Sequence, residues 1–284
     1  MKDLHKAILF MTLSAIAFAI MNGLVKYLSD FSAYQLVFFR SIGTLVITTS
    51  LLIYHKIPLK GNKRGLLILR GVGGAISLLL FFSSLKYLPV GTAVTLRYLS
   101  PIFAAVFAVI WLKEHIKPIQ WLFFLLAFAG VLVLKGFDDG LSLVGLGMII
   151  LSALFMGLIF VVIAKIGKQD HPLVVVNYFM FIGTVLGGLL SISNWKNPIG
   201  AEWFLLAVLG IVGFVGQLYM TKAFQIASTN QIAPLKYLEV IFTVIIGAFW
   251  FLEIYTWWSL LGILMVMAGL TLNILYKSKS SGKV

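Results

Sequence analysis

Four residues stand out against an otherwise apolar chain: Arg97 and Tyr98 in the stretch LRYLSPIF, and Lys236 and Tyr237 in LKYLEVIF, 139 positions later. A cation beside a tyrosine offers charge, a hydroxyl and a ring to an organic ligand, and a second copy offers the same from another direction. An arginine or lysine at the centre of a membrane helix costs about 2.5 to 3.5 kcal/mol on insertion scales, so it marks a partner or a water-filled cavity by default. Glu239, three residues after Lys236 and on nearly the same helical face, has the neutral Ser100 as its counterpart. Three readings of it stand: an ion pair with Arg97 or Lys236, a carboxyl that takes up and releases a proton, or a binder of a cationic group on the solute. Arg40 and Arg70 have no charged counterparts, the matching positions being Met180 and Gly210. A charge required by symmetry recurs, so an unrepeated one points to a ligand, although Arg70 is close enough to a span end to snorkel. Asn22, Asn177 and Gln217 are mid-span amides that can donate to a ligand or bond between helices. Pro101 and Pro234, each mid-span, free a backbone carbonyl and permit a kink, either to line a cavity and gate it or simply to bend a helix for packing.

The elements that position these residues follow from composition. Of 284 residues, 61% are apolar and 11% charged, against about 25% charged in soluble domains, so this is an integral membrane protein. The net charge of +13 does not imply nucleic acid, whose partners cluster their basic residues on a solvent-facing module. Here short basic clusters separate apolar runs. With no cysteine, disulfides, thiolate metal sites and cysteine nucleophiles are excluded. His5, His55, His115 and His171 all fall outside the apolar runs. No metal site, paired catalytic carboxylates or nucleophile triad can be assembled within the membrane, so no cofactor and no enzyme activity are expected.

A helix needs about 20 apolar residues to cross the hydrocarbon core. Ten candidates result, all helical, at 7–28, 34–53, 65–85, 90–111, 119–135, 142–164, 172–191, 202–222, 231–252 and 257–276. The first resembles a signal peptide, with Ala17-Phe18-Ala19 as a cleavage site, but it has a counterpart inside the chain and is expected to be retained. Ten spans put both termini on one side, where fourteen of the Lys and Arg residues fall against four on the other. The positive-inside rule makes that side cytoplasmic, in the cytoplasmic (inner) membrane.

Aligned at 139, Arg97-Tyr98-Leu99 pairs with Lys236-Tyr237-Leu238, Phe103 with Phe242, Trp111 with Trp250, Glu114 with Glu253 and Gly130 with Gly269. One-residue shifts extend the match to Leu13-Ser14-Ala15 with Leu151-Ser152-Ala153 and Ile42-Gly43-Thr44 with Ile182-Gly183-Thr184. The halves, 1–138 and 139–284, hold five spans each, and five is odd. The second half therefore enters the membrane from the opposite side, an inverted-topology repeat of the kind from which secondary transporters build a midplane site. Arg97 and Lys236 then flank the midplane from opposite sides. Glu114 and Glu253, whose charge opposes the macrodipole at a helix C-terminus, are expected to serve the fold, as is the close-packing spacing Gly183 to Gly187.

Two tandem five-helix halves, with fourth helices reading LSPIFAAVFAVIWLKE and LEVIFTVIIGAFWFLE and fifth helices ending in AGV and AGL, resemble the two EamA domains of the drug/metabolite transporter superfamily. The stretches FFRSIGT (38–44), ILRGVGG (68–74) and APLKYLE (233–239) are similar to the branch that includes bacterial S-adenosylmethionine carriers. The resemblance implies a permease for a small metabolite, one candidate being S-adenosylmethionine or a similar charged compound. An anionic or zwitterionic solute bound by Arg97, Lys236, Arg40, Tyr98 and Tyr237 is expected, in a monomer or homodimer partnered by the lipid bilayer and not by nucleic acid. The alternatives are an exporter of cationic or lipophilic drugs, a channel, and a membrane-embedded lipid-linked transferase. The last needs acidic metal-binding or base residues near an interface, and nine scattered acids do not supply them.

Overall fold

The structure, a computed structural model, describes residues 2–28, 30–84, 87, 96–113, 116–135, 142–250 and 257–281. Among these the regular secondary structure is helical throughout. The long helices are α1 (Lys2–Tyr27), α2 (Ala33–Tyr54), α3 (Arg64–Ser84), α4 (Ser100–Leu112), α5 (Pro118–Lys135), α6 (Leu143–Ile166), α7 (Pro172–Ser191), α8 (Glu202–Ile226), α9 (Leu238–Trp250) and α10 (Trp257–Ser281). Local chemistry starts several of them. Ser32 accepts a hydrogen bond from the Gln35 amide (3.2 Å) and Ser142 from Gly145 (3.4 Å), capping α2 and α6. Pro172 opens α7, where its missing N–H costs nothing.

Six of the described helices are long and apolar enough to cross a bilayer, and the chain is a multi-pass membrane protein. Its surface is that of a molecule solvated by lipid: Phe249, Trp257, Tyr54 and Trp258 are 69% exposed or more, while Ser14, Thr44, Ser77, Ser152 and Gln217 are buried. Polar side chains inside and aromatics outside is the arrangement that hydrocarbon solvent rewards, because polar groups bond between helices there.

α2 packs along α7 and α5 along α10, with α1 on α8 and α3 on α6. Smaller contacts join α2 to α8, α3 to α7, α4 to α6 and α1 to α9. Exchanging α1–α5 for α6–α10 maps these contacts onto one another. Ser14 and Ser152, equated by the sequence, behave alike: Ser14 donates to the Gly216 carbonyl on α8 (2.8 Å) and Ser152 to the Ser77 carbonyl on α3 (2.6 Å). At the α2–α8 contact Gly43 meets Gly210 so closely that a Cβ on Gly43 would lie 2.9 Å from the Gly210 Cα. Gly183 and Gly187 do bring α7 against α2, at Ser41 and Phe38.

Two expected spans are not continuous helices. In place of 231–252 the chain runs through one turn (Thr229–Ile232) and a 3-10 segment (Ala233–Tyr237) before α9 begins. In place of 90–111, α4 starts only at Ser100, after a turn closed by the Leu99 amide on the Leu96 carbonyl (3.1 Å), residues 88–95 lying outside those described. Pro101 therefore sits in the first turn of α4 and not mid-helix, and its missing donor is one the helix start does not need. Glu114, Glu253 and the boundary at 138/139 also lie outside the described residues.

Candidate functional site

α4 (Ser100–Leu112) is thirteen residues long, and α9 starts at Leu238, within one residue of the position equivalent to the start of α4. At 1.5 Å per residue α4 is about 20 Å long, short of the roughly 30 Å hydrocarbon core, and the helix leading into α9 is interrupted by the 3-10 segment. Broken helices at matching positions of two halves are the strongest pointer to a binding site in such folds. Arg97-Tyr98 and Lys236-Tyr237 sit at these two breaks. Pro234, in the 3-10 segment, is a cause of the second: without an N–H it cannot continue a helical ladder.

The breaks touch. Tyr237 donates its hydroxyl to the Tyr98 carbonyl (2.6 Å), and the two rings lie 5.8 Å apart, tilted by 40°. Lys236 Nζ donates to Glu239 Oε2 in a buried ion pair, and Glu239 Oε1 accepts from Asn22 Nδ2 on α1 at 3.0 Å. Of the readings of Glu239, the ion pair is present, with Lys236 as the partner. Lys236 Nζ also lies 4.4 Å from the centre of the Phe18 ring, and the Arg40 guanidinium 5.9 Å from the same centre. Phe18 reaches between these cations because Gly216 on α8 leaves room for its ring. Arg97 stacks at 4.2 Å on Phe81 of α3. Arg40, Arg97 and Lys236 all lie within electrostatic reach of Glu239, so three cations surround one carboxylate.

The cluster is short of acceptors. Arg40 Nε, the Tyr98 hydroxyl, Gln217 Nε2 and Thr221 Oγ1 are buried and have no hydrogen-bond partner among the described residues. Buried donors are almost always satisfied in native proteins, and Arg40 Nε and the Tyr98 hydroxyl, which belong to the cluster, offer contacts for an acceptor-rich group.

Asn177 is not part of this cluster, because it donates to Thr48 (3.0 Å) and Thr49 (2.8 Å) and joins α7 to α2. Arg70 does not snorkel: it is 1% exposed and packs 4.1 Å over the Phe179 ring. Phe18 and Thr221 were not among the sequence candidates. Phe18 is four residues before Asn22 and so on the same helical face, the one signal that could have found it.

Two polar clasps tie the halves at opposite ends of the α2–α7 pair. The Asp170 carboxylate, just before α7, accepts the Asn62 amide and, at 2.8 Å, the Lys63 amide in the loop after α2. At the start of α2, Gln35 donates to the Lys196 carbonyl (2.5 Å) and accepts its amide (3.0 Å) in the loop after α7. The start of each helix thus holds the loop that leaves the other, so α2 and α7 run antiparallel.

The sequence matches the profile described as the EamA-like transporter family twice, over residues 5–135 and 143–275. Solute carrier family 35 member G1 of Homo sapiens is 30% identical over 279 residues, 92% of this chain and 76% of its own. The pseudopaline exporter CntI of Pseudomonas aeruginosa is 31% identical over 245 residues, 84% of this chain and 85% of its own. An S-adenosylmethionine uptake transporter of Rickettsia prowazekii is 26% identical over 99% of this chain and 96% of its own. One solved crystal structure superposes with a TM-score of 0.86, covering 96% of this chain and 98% of its own at 15% identity, a likeness of fold alone.

Proposed function

The chain belongs to the EamA-like transporter family, and from that premise we propose that it is a secondary carrier for a small organic anion or zwitterion, working by alternating access between two inverted five-helix halves. The observation that carries the solute class is the excess of charge where the two broken helices meet: among the described residues, Arg40, Arg97 and Lys236 against the one carboxylate of Glu239. A carboxylate or phosphate on the solute would take the orphaned donors of Arg40 and Tyr98, and exchange of partners at Lys236 would leave Glu239 free for a cationic group. The matching contacts of α1–α5 and α6–α10 support the inverted repeat. The excess of Lys and Arg on the N-terminal side supports cytoplasmic termini in the inner membrane. Relatives are named both as exporters and as uptake transporters, so the family name sets no direction.

The test is thermal stabilisation of purified protein by a panel of amino acids, S-adenosylmethionine, dicarboxylates and sugar phosphates. A ligand at 100 times its dissociation constant adds about 2.7 kcal/mol. A shift with an anionic or zwitterionic compound that Arg97→Gln removes is expected. Stabilisation confined to cationic or lipophilic drugs would overturn the solute class.

A further inference from the structure

Arg70 is a buried cation that the central cluster does not use. It is 1% exposed, its Nε and Nη1 have no hydrogen-bond partner among the described residues, and its guanidinium rests on the Phe179 ring. Among the described residues, the charged group within its electrostatic reach is Arg40, another cation. A notch has been made for it: a Cβ on Gly74, one turn further along α3, would collide with Arg70 Nη1 and come within 2.9 Å of Phe179.

The fold does not need this cation. The contacts hold the halves at an offset of 139 here, since Gly74 meets Phe179 as Gly213 meets Arg40 and Gly71 meets the Tyr178 carbonyl as Gly210 meets that of Phe39. The residues equivalent to Arg70 and Arg40 are therefore the buried, uncharged Leu209 and Phe179 and not Gly210 and Met180. Both positions therefore work without charge in one half and carry an unsatisfied arginine in the other. An unpaired cation held out of water opposes folding, so its presence needs a ligand to explain it.

Arg70 also lies between the central cluster and a basic surface. It is six residues into α3, about 9 Å from the loop side, whereas Arg40 is fourteen residues from the loop-side end of α2, about 21 Å. The loop side carries a surface notch lined by Lys60, Lys63, Arg64 and Lys165. We propose that Arg70 is a second anion-binding subsite, taking a carboxylate or phosphate group of the solute on the leg between the central cluster and the α2–α3 loop. It rests on the carrier reading only in assigning that anion to a transported solute.

Inorganic sulfate is the probe, titrated at constant ionic strength against the thermal unfolding of purified protein. The wild type is expected to gain Tm with sulfate. Arg70→Met is expected to unfold at a higher Tm without sulfate, since it removes an unpaired buried charge, and to lose part of the sulfate response; Arg70→Lys keeps that part. Absence of a sulfate response in the wild type, an undiminished response in Arg70→Met, or a lower sulfate-free Tm in that variant would each overturn the subsite. A response lost in Arg97→Gln but intact in Arg70→Met removes this subsite and leaves the central site standing. The reverse pattern retains the subsite and removes the central anion site.

Discussion

Tyr237 gives its hydroxyl to the main-chain carbonyl of Tyr98, the residue that the repeat equates with it, at 2.6 Å. The relation is not reciprocal, because the Tyr98 hydroxyl is buried without a partner among the described residues. Tyr237→Phe leaves a buried carbonyl unsatisfied and is expected to lower stability by about 1 to 3 kcal/mol. Tyr98→Phe loses no bond to the described residues, so its unfolding should match wild type while solute affinity falls. Equal destabilisation by both in thermal melts would contradict the asymmetry.

The Lys236–Glu239 pair is buried, and truncating one member strands the other's charge. Lys236→Ala is expected to cost about 3 to 5 kcal/mol. The double variant Lys236→Met with Glu239→Gln removes both charges and should return close to wild-type stability, since replacing a buried pair by groups of similar size is often neutral. Solute binding should not return with it. Melting curves of the two variants and the wild type decide the point.

Gly43 and Gly210 bring α2 and α8 to backbone contact, and a methyl on either meets the other's Cα at 2.9 Å or less. Gly43→Ala and Gly210→Ala are each expected to lose about 1 to 3 kcal/mol by overpacking. Gly65→Ala, with nothing within 4 Å of the added carbon, is the control and should lose nothing. A tolerated Gly210→Ala would show that the helices can part without cost.

The two clasps make separable predictions for hydrogen exchange. Asp170→Ala removes the acceptor for the Asn62 and Lys63 amides, and Gln35→Ala the acceptor for Lys196. A charge-assisted bond is worth about 1.5 to 3 kcal/mol, so exchange at Asn62 and Lys63 should quicken roughly 10- to 100-fold, with a smaller change at Lys196 in the Gln35 variant. Each variant should leave the other clasp protected. Exchange unchanged at the nearby amides would mean that neither clasp holds its loop.

What could be read in the chain alone was what depends on composition and spacing. Apolar runs of membrane-crossing length dictate helices in lipid because no other open structure satisfies its backbone there, and α7 coincides with the expected 172–191. Residue types held at a fixed offset revealed tandem halves, which two family matches repeat. A cation in such a run is costly wherever the run lies, so Arg40, Arg70, Arg97 and Lys236 were visible as candidates before any neighbour was known. The tertiary structure alone decided what each of them meets. Lys236 finds Glu239, three residues away, but Arg97 lies on the Phe81 ring, Arg40 shares Phe18 with Lys236, and Arg70 finds Phe179 and no acceptor among the described residues. Asn177 is spent on Thr48 and Thr49, while Asp170 and Gln35, silent in the sequence, hold the loops of the opposite half. Periodicity specifies a helix and its apolar faces. It does not specify which helix lies alongside, and a buried polar group takes its role from that neighbour.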